Sequence, residues 1–540
     1  MNCRIALLFP PGWTLSTGGP HLALGALRAF LEQNGIDDVW VHDLNHEVAD
    51  RLISPIDATT AEAACTGGHT LAAMNEPYFR SEDRLMSIAQ RFGGKWNAQL
   101  GFWYDSHPER SSQAAFEYVL RPSPFDSYME LFLAQLLAER PNVVGLCLAS
   151  VYQIIPALKL SLELRQHGYT GFIVLGGNTV SRLARELAIP PVFELVNGLV
   201  TFQGEIPLLR LCQALASGRS LASVPQMTWC DGGEIRTNEP SETIDPLALT
   251  APDCRGLDVG GYWGHNYLNV VAARGCYYGK CQFCAIPYGW GSDGFAGVRT
   301  PSLMVNDIVT LLERHNLPRF KFVDEAMSPS FMAEFSKELL RAGLSIEWEG
   351  YVRMERAWCD PAFVNLVARA GFRKGYFGLE LVQSESRNLL HKSDHVHPEP
   401  LLHLCRANGI KVHFFCMFGF PGTGHREADR TIQFLLEHQD MIDTADIFPW
   451  AYAKHTSVPG VNPIIDARQD WSLELSHAAV LPYVLSSEAI SELAISYEEL
   501  IWHEVPRFLH PTYRLVSPWL SSIPGGEPAC PEPDSVFEPA

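Results

Sequence analysis

The chain has 540 residues, 47% apolar and 19% charged, with 61 acidic against 41 basic side chains and a formal net charge of −20. That length exceeds one hydrophobic core and points to about two to four domains. The acidic excess excludes a broad phosphate-binding surface, so no nucleic-acid partner is expected. No stretch approaches the roughly 20 apolar residues that span a bilayer, and MNCRIALLFPPGW lacks the cleavage pattern of a signal peptide. Most of the 13 cysteines lie singly in apolar runs, such as Cys147 in VVGLCLAS and Cys416 in VHFFCMF, as small buried residues do in a reducing compartment. A cytoplasmic protein with no membrane partner is expected.

RIALLF (4–9) reads as a short buried strand, and HLALGALRAFLEQNG after Gly-Gly-Pro as an amphipathic helix stopping at Gly35. VWVHDL (39–44) is the second strand. Residues 55–122 break the alternation and read as a partly helical insertion rich in Ala, Ser, His and aromatics. VVGLCLAS (143–150) and FIVLGG (172–177) are near-continuous apolar strands around the helix IIPALKLSLELRQHG; FELVNG and LVTFQGE continue the sheet, and a helix over 206–217 closes it. This is the pattern of a parallel sheet covered on both faces. A doubly wound, Rossmann-like domain over 1–220 follows, with its ligand at the C-terminal ends of the strands. Residues 221–262 read as a hairpin and then an irregular linker.

A second βα series starts with YLNVVAA (267–273). RFKFVDE (319–325), SIEWEGYVR (345–353), GYFGLEL (375–381), KVHFFCMFG (411–419) and TADIFPWAY (444–452) follow, with helical patterns between them. Six units suit a partial (β/α)6 barrel over 263–465 better than a second open sheet, which sequence alone does not exclude. Residues 466–540 read as a small helical C-terminal region with a Pro-rich, disordered tail. Directly after the first strand of this series come Cys276, Cys281 and Cys284. A disulfide uses two thiols and a structural zinc normally four ligands, so three suggest a metal centre with one open position at the barrel mouth. A zinc knuckle is the competing reading, although no further Cys or His follows at finger spacing.

The cysteine loop resembles that of the radical S-adenosylmethionine (SAM) superfamily, in which three thiolates hold a [4Fe-4S] cluster and the fourth iron chelates SAM. The spacing here is C-x4-C-x2-C, one residue longer in the first gap than the superfamily's C-x3-C-x2-C. The later strand ends are similar to the superfamily's as well. Asp324 and Glu325 match acids for the methionine ammonium and ribose, Arg353 an arginine, and Glu380 the end of GLE; Gly419, Pro421 and Gly422 of GFPGTG match a turn of close backbone approach. Phe283, between the last two cysteines, matches too. The first domain resembles the cobalamin-binding module of this superfamily at Pro10 and Pro11, Ser150, Gly176, Gly177 and Asn178, and Gly204 and Glu205. The D-x-H-x-x-G signature that supplies a lower-face histidine to cobalt is absent, and His46 is expected at a surface or helix start. The resemblance implies three cofactors, a [4Fe-4S] cluster, SAM and cobalamin, and an external electron donor of the flavodoxin or ferredoxin type. It implies C-methylation of a peptide or other small-molecule natural product at an unactivated carbon. Non-methylating rearrangement or cyclisation, and a cobalamin or redox sensor, are the alternatives. FPWAYAKHTSVPG (448–460) and the tail helices are expected to border the substrate pocket.

Overall fold

In the computed structural model the described residues are 3–12, 19–47, 96–97, 103–104, 107–122, 126–240, 244–260, 262, 267–291, 295–392, 396–479 and 485–505. Most of the expected insertion at 55–122, and the tail beyond 505, lie outside them. Of the insertion, Ser112–Val119 is helical.

The first sheet has seven strands: β1 (Arg4–Phe9), β2 (Asp38–Asp43), β3 (Val143–Cys147), β4 (Phe172–Gly176), β5 (Gly198–Val200), β6 (Met227–Asp231) and β7 (Glu234–Thr237). Their order is β2-β1-β3-β4-β5-β6-β7, the first five parallel. Alternation along β1 sends Ile5, Leu7 and Phe9 into one core and Ala6 and Leu8 into another, which is why the run is apolar at every position. Each such side chain contributes on the order of 1.5–3 kcal/mol by leaving water.

Two expectations change here. FELVNG is not a strand: Pro190–Phe193 is a helical turn and pairing begins at Gly198, because Pro190 and Pro191 suit a helix start. The hairpin assigned to the 221–262 segment is Met227–Asp231 with Glu234–Thr237, and it pairs antiparallel to β5. It thus extends the first sheet.

The second sheet is β8 (Leu268–Val270), β9 (Arg319–Met327), β10 (Glu347–Val352), β11 (Phe372–Glu380), β12 (Lys411–Phe418) and β13 (Thr444–Pro449). It runs in sequence order, wholly parallel, and does not close: β8 and β13 are its edges. The outward face packs on helices through a dense aromatic cluster, with Phe322 against Phe335 at 5.3 Å and Trp348 against Phe372 at 4.7 Å. A short antiparallel ribbon, Ala273–Gly275 with Phe295–Val298, leaves β8 at the mouth.

The region after the barrel is not purely helical. Tyr452–Ala453, Val461–Ile464 and Glu474–Ala479 form a three-stranded sheet, followed by helix Ser487–Glu504. This sheet latches onto the first domain. Trp471 is fully buried in that domain's core, its ring 6.0 Å from Phe116. Its Nε1–H donates to the Glu186 carbonyl at 3.0 Å and its backbone N–H to the Arg110 carbonyl at 3.0 Å. Lys454 pairs with Glu186 at 2.6 Å. Among the described residues no helix is long and apolar enough to cross a membrane.

Trp471→Ala should cost about 3–5 kcal/mol in the unfolding transition that melts the first sheet. Trp471→Phe, losing chiefly the indole hydrogen bond, should cost about 0.5–1.5 kcal/mol. Urea unfolding followed by circular dichroism measures both, and equal small losses would remove the latch from the stability of the first domain.

Candidate active site

The C-terminal ends of the two sheets face each other across a cavity of about 1050 Å³. From the barrel, Cys276, Cys281 and Cys284 line it together with Asp324, Glu325, Arg353 and Glu380; from the first sheet come Gly176, Gly177, Asn178, Gly204 and Glu205. Six of the expected residues do not line it: Pro10, Pro11, Ser150, Gly419, Pro421 and Gly422.

The cysteine loop leaves the ribbon at Gly275 and closes on itself with the Cys284 N–H donating to the Cys281 carbonyl at 3.2 Å. The Gln282 N–H donates to the Leu390 carbonyl at 3.2 Å, the Tyr277 hydroxyl to Glu355 at 2.6 Å, and the Tyr278 hydroxyl to the His391 carbonyl. Burial pushes the Cys281 thiol up to about 11 and the Cys284 thiol up to about 12, so in the bare protein both are thiols at neutral pH; a coordinating metal deprotonates such thiols. Among the described residues no three Cys, His, Asp or Glu side chains sit at the spacing of ligands on one ion. Three thiols on one loop lining the cavity are a donor set that fits three irons of a [4Fe-4S] cluster.

Asp324 is buried, and its carboxylate accepts the backbone N–H of Ala273 at 2.6 Å and of Ala272 at 3.0 Å. Its oxygens hold the chain that enters the cysteine loop. Burial pushes it up to about 7. Glu325, the neighbour in the alternation, accepts the Trp290 Nε1–H at 3.1 Å, and burial raises its pKa as well. The guanidinium of Arg353 lies 3.3 Å from the centre of the Tyr278 ring, with Nε 3.3 Å from Glu355. Glu380 has a left-handed backbone at φ 55° and pairs with Lys392 at 2.5 Å, both buried.

The GFPGTG turn acts one layer back. Gly419, at φ 78°, packs on Ile490 of the C-terminal helix, and Phe420 meets Phe283 edge-on at 6.5 Å, so the turn props Phe283, which does line the cavity. In the first domain Gly177 has φ 103°, and a Cβ there would sit 2.5 Å from the Leu148 carbonyl oxygen. Glu205 forms an ion pair with Arg274 of the barrel at 2.6 Å, both well buried. Pro10 and Ser150 are tied together behind the cavity by Gln153, which donates to the Pro10 carbonyl at 2.6 Å and accepts from the Ser150 N–H at 3.0 Å. His46 is at a helix start as expected but is buried rather than on the surface, stacked on Tyr262 at 4.0 Å and away from the cavity lining. The histidine that lines the cavity on this side is His21, stacked on Phe9 at 4.1 Å. Burial lowers it to about 4, which keeps it neutral. Of the 448–460 segment, Phe448 lines the cavity and His455 stacks on Tyr288 at 3.7 Å.

No protein-family model matches the chain. In three dimensions its α/β fold, a parallel sheet followed by an open partial barrel, is similar to that of cobalamin-dependent radical SAM enzymes. The radical SAM methyltransferase TsrM from Kitasatospora setae, solved with cobalamin and a [4Fe-4S] cluster, superposes with a TM-score of 0.59 at 15% identity, covering 93% of this chain and 92% of that one. TsrM with tryptophan substrate and a SAM analogue gives 0.57 at 16% identity, covering 93% and 90%. The cobalamin-dependent radical enzyme OxsB with aqua-cobalamin gives 0.53 at 16%, covering 83% of this chain and 53% of that one. By sequence the chain is 22% identical over 310 residues to an uncharacterized methyltransferase of Pyrococcus horikoshii; the match spans 54% of this chain and 64% of that protein.

Asp324→Asn replaces two acceptor oxygens by one and sets an NH2 against backbone donors. It should cost about 1–3 kcal/mol locally, seen as faster hydrogen exchange at Ala272 and Ala273 with the first sheet unchanged. The folded pKa of Asp324 is raised from 3.8 to about 7. The folded chain therefore keeps a proton that the unfolded chain has released, and stability falls as pH rises through that interval. Asp324→Asn should flatten this part of the pH–stability curve, while an unchanged slope would assign it to other groups.

Proposed function

We propose that the chain is a cobalamin-dependent radical SAM enzyme that methylates carbon. The observation that carries the reading is that three cysteines and the small-residue strand ends of a doubly wound sheet line one cavity from opposite sides. Cys276, Cys281 and Cys284 would hold the [4Fe-4S] cluster. Glu325 is then the acid available to the methionine ammonium of SAM, since Asp324 is engaged by backbone. Arg353 and the Glu380–Lys392 pair would border the nucleotide. Gly176, Gly177, Asn178 and Gly204 would let a corrin edge and its nucleotide tail approach the backbone. Pro10, Pro11 and Ser150 would shape the loops behind it.

When bound, these groups would supply a 5′-deoxyadenosyl radical and a transferable methyl group. The protein's part is orientation and exclusion of water. Arg353 and Tyr278 wall one side of the mouth, Trp290 holds the Glu325 carboxylate in place, and the Glu205–Arg274 pair spans the two sheets. The same reading includes a cytoplasmic location, a small-molecule or peptide substrate and an external flavodoxin- or ferredoxin-type electron donor. It also takes 1–220 as the cobalamin domain, 263–465 as the barrel and 466–540 as the C-terminal region.

Anaerobic reconstitution tests it. The parent should take up one cluster, and the variant with Ala at Cys276, Cys281 and Cys284 should lose the iron–sulfur absorption while Cys416→Ala retains it. Reduction with SAM should release 5′-deoxyadenosine, and S-adenosylhomocysteine beside it marks methylation. A full cluster in the triple variant overturns the assignment.

Cobalt is proposed to carry no histidine on its lower face. Paramagnetic resonance of the reduced cobalt form should then show no nitrogen splitting from the protein, unchanged in His46→Ala and in His21→Ala. A splitting lost in His21→Ala would make His21 the axial ligand.

A further inference from the structure

The helix Asn178–Arg182 leaves the C-terminal end of β4 and packs on the helical turn Ile286–Gly289 that follows Cys284. Both of its ends meet that turn. At the start, a Cβ on Gly289 would lie 2.7 Å from Asn178 Oδ1. At the end, the Arg182 carbonyl accepts the His455 Nε2–H at 2.6 Å, and the His455 ring stacks on Tyr288 at 3.7 Å. The first domain thus carries Arg182 up to the last of the three cysteines.

Arg182 differs from the other cations here in its charge balance. Those of the barrel near the cysteine loop come with carboxylates: Arg274 with Glu205 at 2.6 Å, Arg353 with Glu355 at 3.3 Å and Lys392 with Glu380 at 2.5 Å. In each pair the two opposite charges largely cancel at a distance. Lys280, on the loop itself, is exposed, where water and salt screen it. Arg182 is half-buried, forms no ion pair among the described residues, and has a buried Nε without an acceptor. The acid within reach of its field is Glu474, which is 63% exposed and paired with Arg110 at 3.4 Å. Burial lowers the Arg182 pKa, and Glu474 and Cys284 act to raise it; a guanidinium stays protonated under either influence.

We infer that Arg182 raises the reduction potential of the cluster, so that the first domain makes the cluster easier to reduce. The inference rests on the reading of Cys276, Cys281 and Cys284 as cluster ligands and adds to them a tuning charge from the other domain. Reduction moves one electron from the flavodoxin- or ferredoxin-type donor onto the cluster. No bond forms or breaks and no proton moves, so the change is one further unit of negative charge beside Cys284. A fixed positive charge nearby favours the reduced form, and net charge is among the levers by which proteins set such potentials. Because the cation belongs to the first domain, electron entry is favoured with that domain seated on the barrel.

Redox titration of the anaerobically reconstituted protein without SAM tests this, followed by the paramagnetic signal of the reduced cluster, with iron content measured first. Arg182→Met should keep its iron and shift the reduction equilibrium about tenfold toward the oxidised cluster, the scale of one unit charge in a partly buried setting. For one electron that is about 59 mV more negative. Arg182→Lys should recover most of the shift, and Lys280→Met should move the equilibrium by about twofold or less. Equal potentials in the parent, Arg182→Met and Arg182→Gln would overturn the inference and leave the cluster assignment intact. A shift in Arg182→Lys as large as in Arg182→Met would assign the effect to packing and overturn it as well. So would loss of iron from both Arg182→Met and Arg182→Gln, which would make the residue structural. A parent that takes up no iron overturns the reading of the loop, and the inference with it.

Discussion

The buried carboxylate of Asp324 is the constraint from which the mouth of the barrel is built. It sits within β9 and accepts backbone N–H groups of Ala272 and Ala273 on the neighbouring segment, where β8 has ended and the ribbon begins. Those two residues cannot continue a regular ladder, because the chain must turn out of the sheet to present Cys276. A buried N–H without a partner costs about as much as a lost hydrogen bond, and one side chain from the adjacent strand satisfies both. The cysteine loop is thereby anchored to the sheet that also positions Glu325, Arg353 and Glu380.

The cavity belongs to neither domain, so its shape depends on contacts between them. Arg274, immediately before the loop's Gly275, pairs with Glu205 at the start of a first-domain helix. Removing one partner of a buried pair leaves the other charge stranded, typically a loss of about 3–5 kcal/mol. A second contact is steric: a Cβ on Gly289, in the helical turn after the cysteines, would lie 2.7 Å from Asn178 Oδ1. A third runs through His455, stacked on Tyr288 and hydrogen-bonded to the Arg182 carbonyl at 2.6 Å. Each contact joins the residues around the cysteine loop to the segments that follow β4 or β5.

Much of the fold was legible because burial on both faces writes itself as continuous apolar runs, as in RIALLF and FIVLGG. The hairpin at 227–237 was seen, but not its partner. Antiparallel addition to β5 depends on an edge 27 residues earlier, Val200 facing Met227, and no local pattern announces it. The three-stranded sheet at 452–479 was missed for a related reason: its strands are two to six residues long and held by pairing rather than by periodicity. In the site, cysteines and strand-end acids stood out by type. What could not be read was the division of labour between adjacent acids. Asp324 and Glu325 differ by one step of a period-2 alternation, and although both line the cavity, one carboxylate accepts backbone N–H groups and the other an indole N–H.

The same alternation carried an unread signal for the barrel floor. In β9 it gives Lys321, Val323 and Glu325; in β10 Glu349 and Tyr351, with Arg353 just past its end; in β12 His413 and Phe415; in β13 Thr444, Asp446 and Phe448. On each strand the intervening positions are predominantly apolar or small and pack on helices. Polar and aromatic residues at every second position of consecutive parallel strands would normally mark a solvated face. Here that face lines the cavity between the two sheets. The cost of enclosing Lys321, Glu349, His413 and Asp446 is offset in part by their mutual pairing. Lys321, Tyr351, His413, Phe415 and Asp446 line the same cavity as the three cysteines, so the barrel interior and its mouth enclose one continuous volume.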